Sequence, residues 1–346
     1  MEMFWLAILG FLLTGSFVLG GYDYGVQMAL PFTGRDERTR RQTLAALGPF
    51  FFGNEVWLIG AAGVLFGAFP FLEGTLLSGA YPLIVPLVLG LAIGKSAVQL
   101  RSRGAGTPTH RPRGRSTARV PGSGRGWDLL VGVGGVVPAA ALGMLVGLLL
   151  TGVPLDGGHS FTLSAGEVLQ PFVLLCGVTG VLVFAAHGGA FLALRADGQV
   201  AALGGVFARR AAGWAGFAVV AAALAALVTG VRPLNPAPAL AAALAIPALM
   251  VAARAALAAA RPGLAFTATA GAAGLPVVVT GLAGFPYLLA STVTPGAGLT
   301  VAESAADAAT LHTLTAFGVV IIPVVVGYQA FLWWAFRGRV TQPGYF

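Results

Sequence analysis

The sequence predicts an all-α integral membrane protein of about nine transmembrane helices, and three observations carry that prediction. Of its 346 residues, 57% are hydrophobic and only 9% charged, where soluble domains carry about a quarter charged. Apolar runs near the length of about twenty residues that crosses a hydrocarbon core of ~30 Å recur along the whole chain, and the mean hydropathy is +0.86. The cations fall in the gaps between alternate runs, the pattern of cytoplasmic loops.

The spans are expected at 4–31, 44–69, 76–97, 127–151, 167–194, 211–230, 238–260, 264–290 and 310–336. The first run lacks a cationic n-region and a small-x-small cleavage site, so it reads as a retained helix rather than a signal peptide. Threading nine spans with the N-terminus outside puts 19 of the 20 cations inside, from Arg35 and Arg38 to Arg337 and Arg339, and leaves only Arg232 out. An N-out, C-in topology follows. Residues 101–126 form one long inner loop rich in Arg, Gly, Pro, Ser and Thr, which cannot bury enough apolar surface to fold and reads as a flexible basic tether. The net charge of +8 sits in such loops, so it points to a membrane surface and not to nucleic acid. The single cysteine, Cys176, permits neither an intrachain disulfide nor a thiolate-bound cluster.

An ionisable side chain within a span is a functional candidate, because placing it there costs about 2.5–3.5 kcal/mol even on insertion scales. Asp23, Glu55 and His187 stand out. Asp23 lies in the inner third of the first span among Gly21, Tyr22 and Gly25; small neighbours let a helix or water approach it. Glu55 falls about eleven residues into the second span, near mid-membrane at 1.5 Å per residue, with Asn54 and Trp57 as local partners. Either carboxyl could line a water-accessible route for protons or cations, or simply bond a neighbouring helix; the second reading is favoured for Glu55. Lys95 sits near the inner end of the third span, and Arg101 begins the tether. His187, flanked by small residues, could accept haem, but a packing hydrogen bond is the simpler role, since membrane haems usually take two ligands. Trp5 and the group Trp333, Trp334 and Phe336 are expected as interfacial anchors. No phosphate loop, paired-histidine metal site or nucleophile elbow is present.

With those residues in view, the sequence resembles subunit II of the cytochrome bd-type quinol oxidases. Gly21-Tyr22-Asp23-Tyr24-Gly25 matches that family's Gly-aromatic-Asp-x-Gly element. Gly48-Pro49, Gly53-Asn54-Glu55-Val56-Trp57-Leu58, Ala68-Phe69-Pro70, Ser78-Gly79 and Arg101-Ser102 follow with its spacing. Phe285-Pro286, Leu299-Thr300, Thr310-Leu311, Pro323, Tyr328-Gln329-Ala330 and Phe336-Arg337-Gly338-Arg339-Val340 match near the C-terminus. The likeness covers nearly the whole chain, and the Gly-Asn-Glu-Val-Trp block is its most specific part.

The resemblance implies two four-helix bundles and one peripheral helix. It divides the chain into residues 1–151 with helices 1 to 4, 152–290 with helices 5 to 8, and 291–346 with an outer loop, helix 9 and a cytoplasmic tail. It further implies a heterodimer in the bacterial plasma membrane. The partner, subunit I, would carry haems b558, b595 and d and reduce oxygen to water with electrons from quinol. This chain would bind no haem itself, stabilise its partner and help deliver cytoplasmic protons; a structural quinone and small accessory subunits are compatible with it. Three positions depart from the family, which usually has acidic residues where Gly20, Phe52 and Gln99 stand. A phenylalanine cannot relay a proton, so a route must use Asp23, Glu55, water or the partner. Two other readings stand beside this one. One is a secondary transporter coupled through Asp23 and Glu55, the other a purely scaffolding membrane subunit.

Overall fold

A computed structural model describes residues 1–104, 123–157, 160–294 and 296–341. Most of the tether, with Arg111, Arg113, Arg115 and Arg119, lies outside the described residues, as does His159. Among the described residues, nine helices are long and apolar enough to cross a membrane.

The first helix, α1 (Glu2–Thr33), runs 32 residues, about 48 Å at 1.5 Å per residue, longer than a hydrocarbon core. A short amphipathic helix, α2 (Glu37–Ala45), follows behind an Asp36–Thr39 capping box. The expected span 44–69 is shorter than predicted. Gly48 takes a left-handed φ of 41° and Pro49 offers no N–H, so the chain turns there before re-entering helix. Two pieces, α3 (Phe50–Gly53) and α4 (Glu55–Ala68), then run on through Asn54, whose backbone angles are helical. Glu55 therefore opens α4 and lies five residues, not eleven, past the start of the span Phe50–Ala68.

Pro70 cannot continue α4 and instead opens α5 (Pro70–Gly79), too short to span. The third crossing is α6 (Tyr81–Gly104), which starts later than the predicted 76 and continues past Arg101. The fourth, α7 (Ser123–Thr151), closes the first half of the chain. After the single-turn α8 (Ala165–Val168), the second half brings α9 (Pro171–Arg195), α10 (Gly198–Thr229), α11 (Pro236–Ala258) and α12 (Pro262–Gly284). The sixth span begins thirteen residues before the predicted 211, because nothing between Gly198 and Ala211 breaks a helix and α10 packs along α9 over its length. The eighth ends at Gly284 rather than 290. The next residues form β1 (Tyr287–Ala290), antiparallel to β2 (Gly298–Thr300), and the turn α13 (Val301–Ser304) leads to α14 (Ala308–Ala335).

Packing follows the glycines. At the crossing of α1 with α9, a Cβ on Gly25 would strike the Phe184 carbonyl, and one on Gly188 would strike the Gly25 backbone. Side-chain-free contact of this kind is how helices approach closely where no hydrophobic effect drives them together. Helix α9 is the most enclosed span, with 56% of its apolar window buried, while α14 has 11% and touches chiefly α4. Trp5 corrects one expectation. It is 3% exposed, and its indole N–H donates to Leu311 O and Thr315 Oγ1 at 3.3 and 3.2 Å, so it ties α1 to α14 rather than facing outward as an anchor. Trp333 turns inward beside Phe50, Phe266 and Tyr22, whereas Trp334 is exposed.

The cationic ends meet. Gln42 bonds the carbonyls of Asp197 and Val340, Arg40 reaches Asp128, Arg339 faces Asp197, and Arg195 donates to the Phe336 carbonyl. The β-hairpin covers the opposite end with Val153, Leu155 and Phe161.

Candidate functional site

Asp23, Asn54, Glu55 and Lys95, from three separate stretches of the sequence, come together between α1, α4 and α6. The Asp23 carboxyl is fully buried. Its Oδ2 lies 3.3 Å from Lys95 Nζ, and its Oδ1 accepts from Asn54 Nδ2 at 3.1 Å. Lys95 Nζ also meets Glu55 Oε1 at 3.1 Å and donates to Phe51 O at 3.0 Å, with the Phe51 ring beneath it at 3.7 Å. Glu55 thus pairs with a lysine from another helix, not with Asn54 or Trp57 as its sequence neighbours suggested. The Glu55 side chain is 37% exposed, on a face that also shows Phe52 and Ile59.

Asn54 is the hub. Its Oδ1 accepts from Tyr22 Oη at 3.0 Å and Gln329 Nε2 at 3.2 Å, and its Nδ2 donates to Leu19 O at 3.1 Å as well as to Asp23. Trp57 donates from Nε1 to Gln329 Oε1 at 3.4 Å. Helix α14 therefore reaches the cluster through one glutamine. Gln27, one turn along α1 from Asp23, donates to the Asp23 carbonyl at 3.3 Å, while its Oε1 has no hydrogen-bond partner among the described residues and lies against Gly94 and Gly134. Tyr22, Gln27 and Gln329 escape a search for charges, because they are neutral and their polar groups can be satisfied by neighbouring helices.

Arg101 does not join this cluster. It is 2% exposed and bridges Glu37 at 3.0 Å and Asp128 at 2.5 Å at the cationic end. Burial pushes the Glu37 carboxyl up, but hydrogen bonds from Arg101 and Arg41 outweigh it and hold the group below the usual carboxylate range. His187 is fully buried on α9; its Nε2 donates to Val18 O at 3.0 Å and its Nδ1 meets Thr269 Oγ1 at 2.9 Å. Both ring nitrogens are engaged, which leaves none for an iron, and among the described residues no three His, Cys, Asp or Glu side chains converge on a metal site.

The family description "Cytochrome bd terminal oxidase subunit II" matches residues 1–336. The chain belongs to this family. It is 30% identical over 98% of its length to cytochrome bd ubiquinol oxidase subunit 2 of Bacillus subtilis, covering 96% of that protein. It is 28% identical to cytochrome bd-I ubiquinol oxidase subunit 2 of Escherichia coli K12, with 99% and 96% covered. Its fold matches the bd oxidase structure from Geobacillus thermodenitrificans with a TM-score of 0.68 at 17% identity, over 96% of this chain and 97% of that one. As a subunit II, the chain is a multi-pass protein of the bacterial inner membrane. Of the three positions at which the sequence departs from the resemblance, Gly20 is buried beside Tyr24, Phe52 is 50% exposed, and Gln99 is half-buried.

Proposed function

We propose that this subunit II binds a haem-bearing subunit I as a heterodimer that oxidises quinol and reduces oxygen to water, and that Asp23 with Glu55 carries protons in from the cytoplasmic side. The bound haems of the partner would supply the electron transfer and oxygen chemistry. This chain's residues bind and orient. The cationic end, where Arg40, Arg101 and Arg195 gather, is read as cytoplasmic because loops rich in arginine are retained there; the N-terminus is then outside. Helices α1, α4, α6 and α7 are read as the first bundle, α9 to α12 as the second, and α14 as the peripheral ninth span.

The observation that carries the proton reading is Asp23 itself: a fully buried carboxyl in a span, held by one lysine and one asparagine. A carboxylate there is costly, and Gly20 and Phe52, where the resemblance would place further acids, supply no second carboxyl. Glu55 supports the partner reading. A carboxyl on an apolar face with Phe52 and Ile59 is poorly placed against lipid and well placed against another polypeptide or a wet crevice. Membership of the subunit II family speaks against a stand-alone carrier. The test is purification of the tagged chain in mild detergent from its own membranes. A large companion subunit with haem b and haem d absorption is expected; a colourless, unaccompanied chain would refute the assignment.

A further inference from the structure

The cluster around Asp23 has more carboxylates than cations. The groups that face it are Asp23, Tyr22 and Tyr24 from α1, Glu55 from α4 and Lys95 from α6, with His187 of α9 behind Tyr22. Helix α14 contributes the neutral Gln329 and α3 a carbonyl, while Asp128 of α7 is committed to Arg40 and Arg101 at the cationic end. Lys95 is therefore the single described cation that touches both carboxylates: its Nζ donates to Asp23 Oδ2 and Phe51 O and lies 3.1 Å from Glu55 Oε1. With both acids ionised the cluster holds one negative charge in excess, which one proton removes.

We propose that Lys95 is the positioning residue of the proton path, an ammonium that exchanges partners between Asp23 and Glu55 as the proton crosses between them. The inference rests on the proton reading above. When either carboxyl takes a proton, the ammonium turns to the one still ionised; its flexible four-carbon stem allows the shift, which an arginine fork would hinder. Passing the proton breaks an O–H bond on one acid and forms one on the other, directly or through water, while the ammonium moves the opposite way. Lys95 keeps its charge throughout, and the Phe51 ring and carbonyl hold it within reach of both acids.

The test uses the complete oxidase complex carrying Lys95→Met, Lys95→Arg and, as a control on the underlying reading, Asp23→Asn. At unchanged haem content, Lys95→Met should lower kcat about tenfold with KM for quinol unchanged, and should move the alkaline limb of the rate profile up by about one pH unit, because loss of a neighbouring cation strengthens proton binding by the acids. Lys95→Arg should keep the wild-type profile with a smaller loss in kcat. A wild-type rate and profile in Lys95→Met beside a slow Asp23→Asn overturns the role of Lys95 alone; a wild-type rate in Asp23→Asn overturns the proton reading itself. Should Lys95→Met strip the haems, Lys95→Arg at full haem content decides: a lowered kcat with the wild-type pH profile supports the exchange, and a wild-type kcat refutes it.

Discussion

Asn54 shows how much a single side chain can organise inside a membrane protein. It satisfies groups on α1 and α14 at once, so its loss leaves the Tyr22 hydroxyl, the Gln329 amide and one oxygen of Asp23 short of a partner. An unmet buried polar group costs about 1–3 kcal/mol, although in membranes the measured contribution of one bond is smaller. Asn54→Leu is therefore expected to destabilise the complex by about 1–3 kcal/mol, read as a lower thermal midpoint in detergent, and Asn54→Asp to disturb the site by adding charge. Asp23 and Lys95 could be picked out of the sequence because charges in spans are rare. Tyr22 and Gln329 could not: their worth comes from bonds to Asn54 across 32 and 275 positions of the chain, and neither residue type is unusual in a helix. The pairing of Glu55 was misread for a related reason. Sequence neighbours Asn54 and Trp57 looked available, but on a helix their side chains point to other faces.

At the scale of elements, crossings made by glycine and helix ends made by proline govern the outcome. Gly25→Ala should block the approach of α1 to α9 and prevent accumulation of the folded subunit, whereas Gly63→Ala, which meets nothing within 4 Å, should accumulate normally; membrane-fraction immunoblots compare the two. The short helix α2 supplies a pH prediction. The Glu37 carboxyl is held below its ordinary value by Arg101 and Arg41, so its bridge stabilises the folded state above the unfolded-state value near 4.5 and is lost as pH falls through the lower folded-state value. The protection factor of backbone amides over Glu37–Ala45, corrected for the intrinsic pH dependence of exchange, should fall on acidification below about pH 4.5, and should fall less in Glu37→Gln. Span number was legible because hydropathy needs only composition over twenty residues. Span ends were less so. The turn at Gly48-Pro49 and the strand after Gly284 lie in apolar sequence, where hydropathy does not change but the backbone does.

Across the whole molecule, the two ends differ in chemistry. One gathers arginines, Glu37, Asp128 and Asp197 into ion pairs; the other is closed by a hairpin and an apolar cap. Between them, Asp23, Lys95 and Glu55 lie toward the cationic end and are linked to α14, the least enclosed helix, through Gln329. The sequence already carried this polarity in the placement of its cations, and the resemblance to the bd-type oxidases extended it to a partner and a reaction. What neither could give was the joining of Asp23 to Glu55, because Lys95 reaches both from a third helix. The most direct test of the account is the oxygen-consumption rate, at matched haem content, of the complex carrying Asp23→Asn. A fall of about tenfold or more, with assembly intact, is the predicted result; an unchanged rate would contradict a proton path through Asp23.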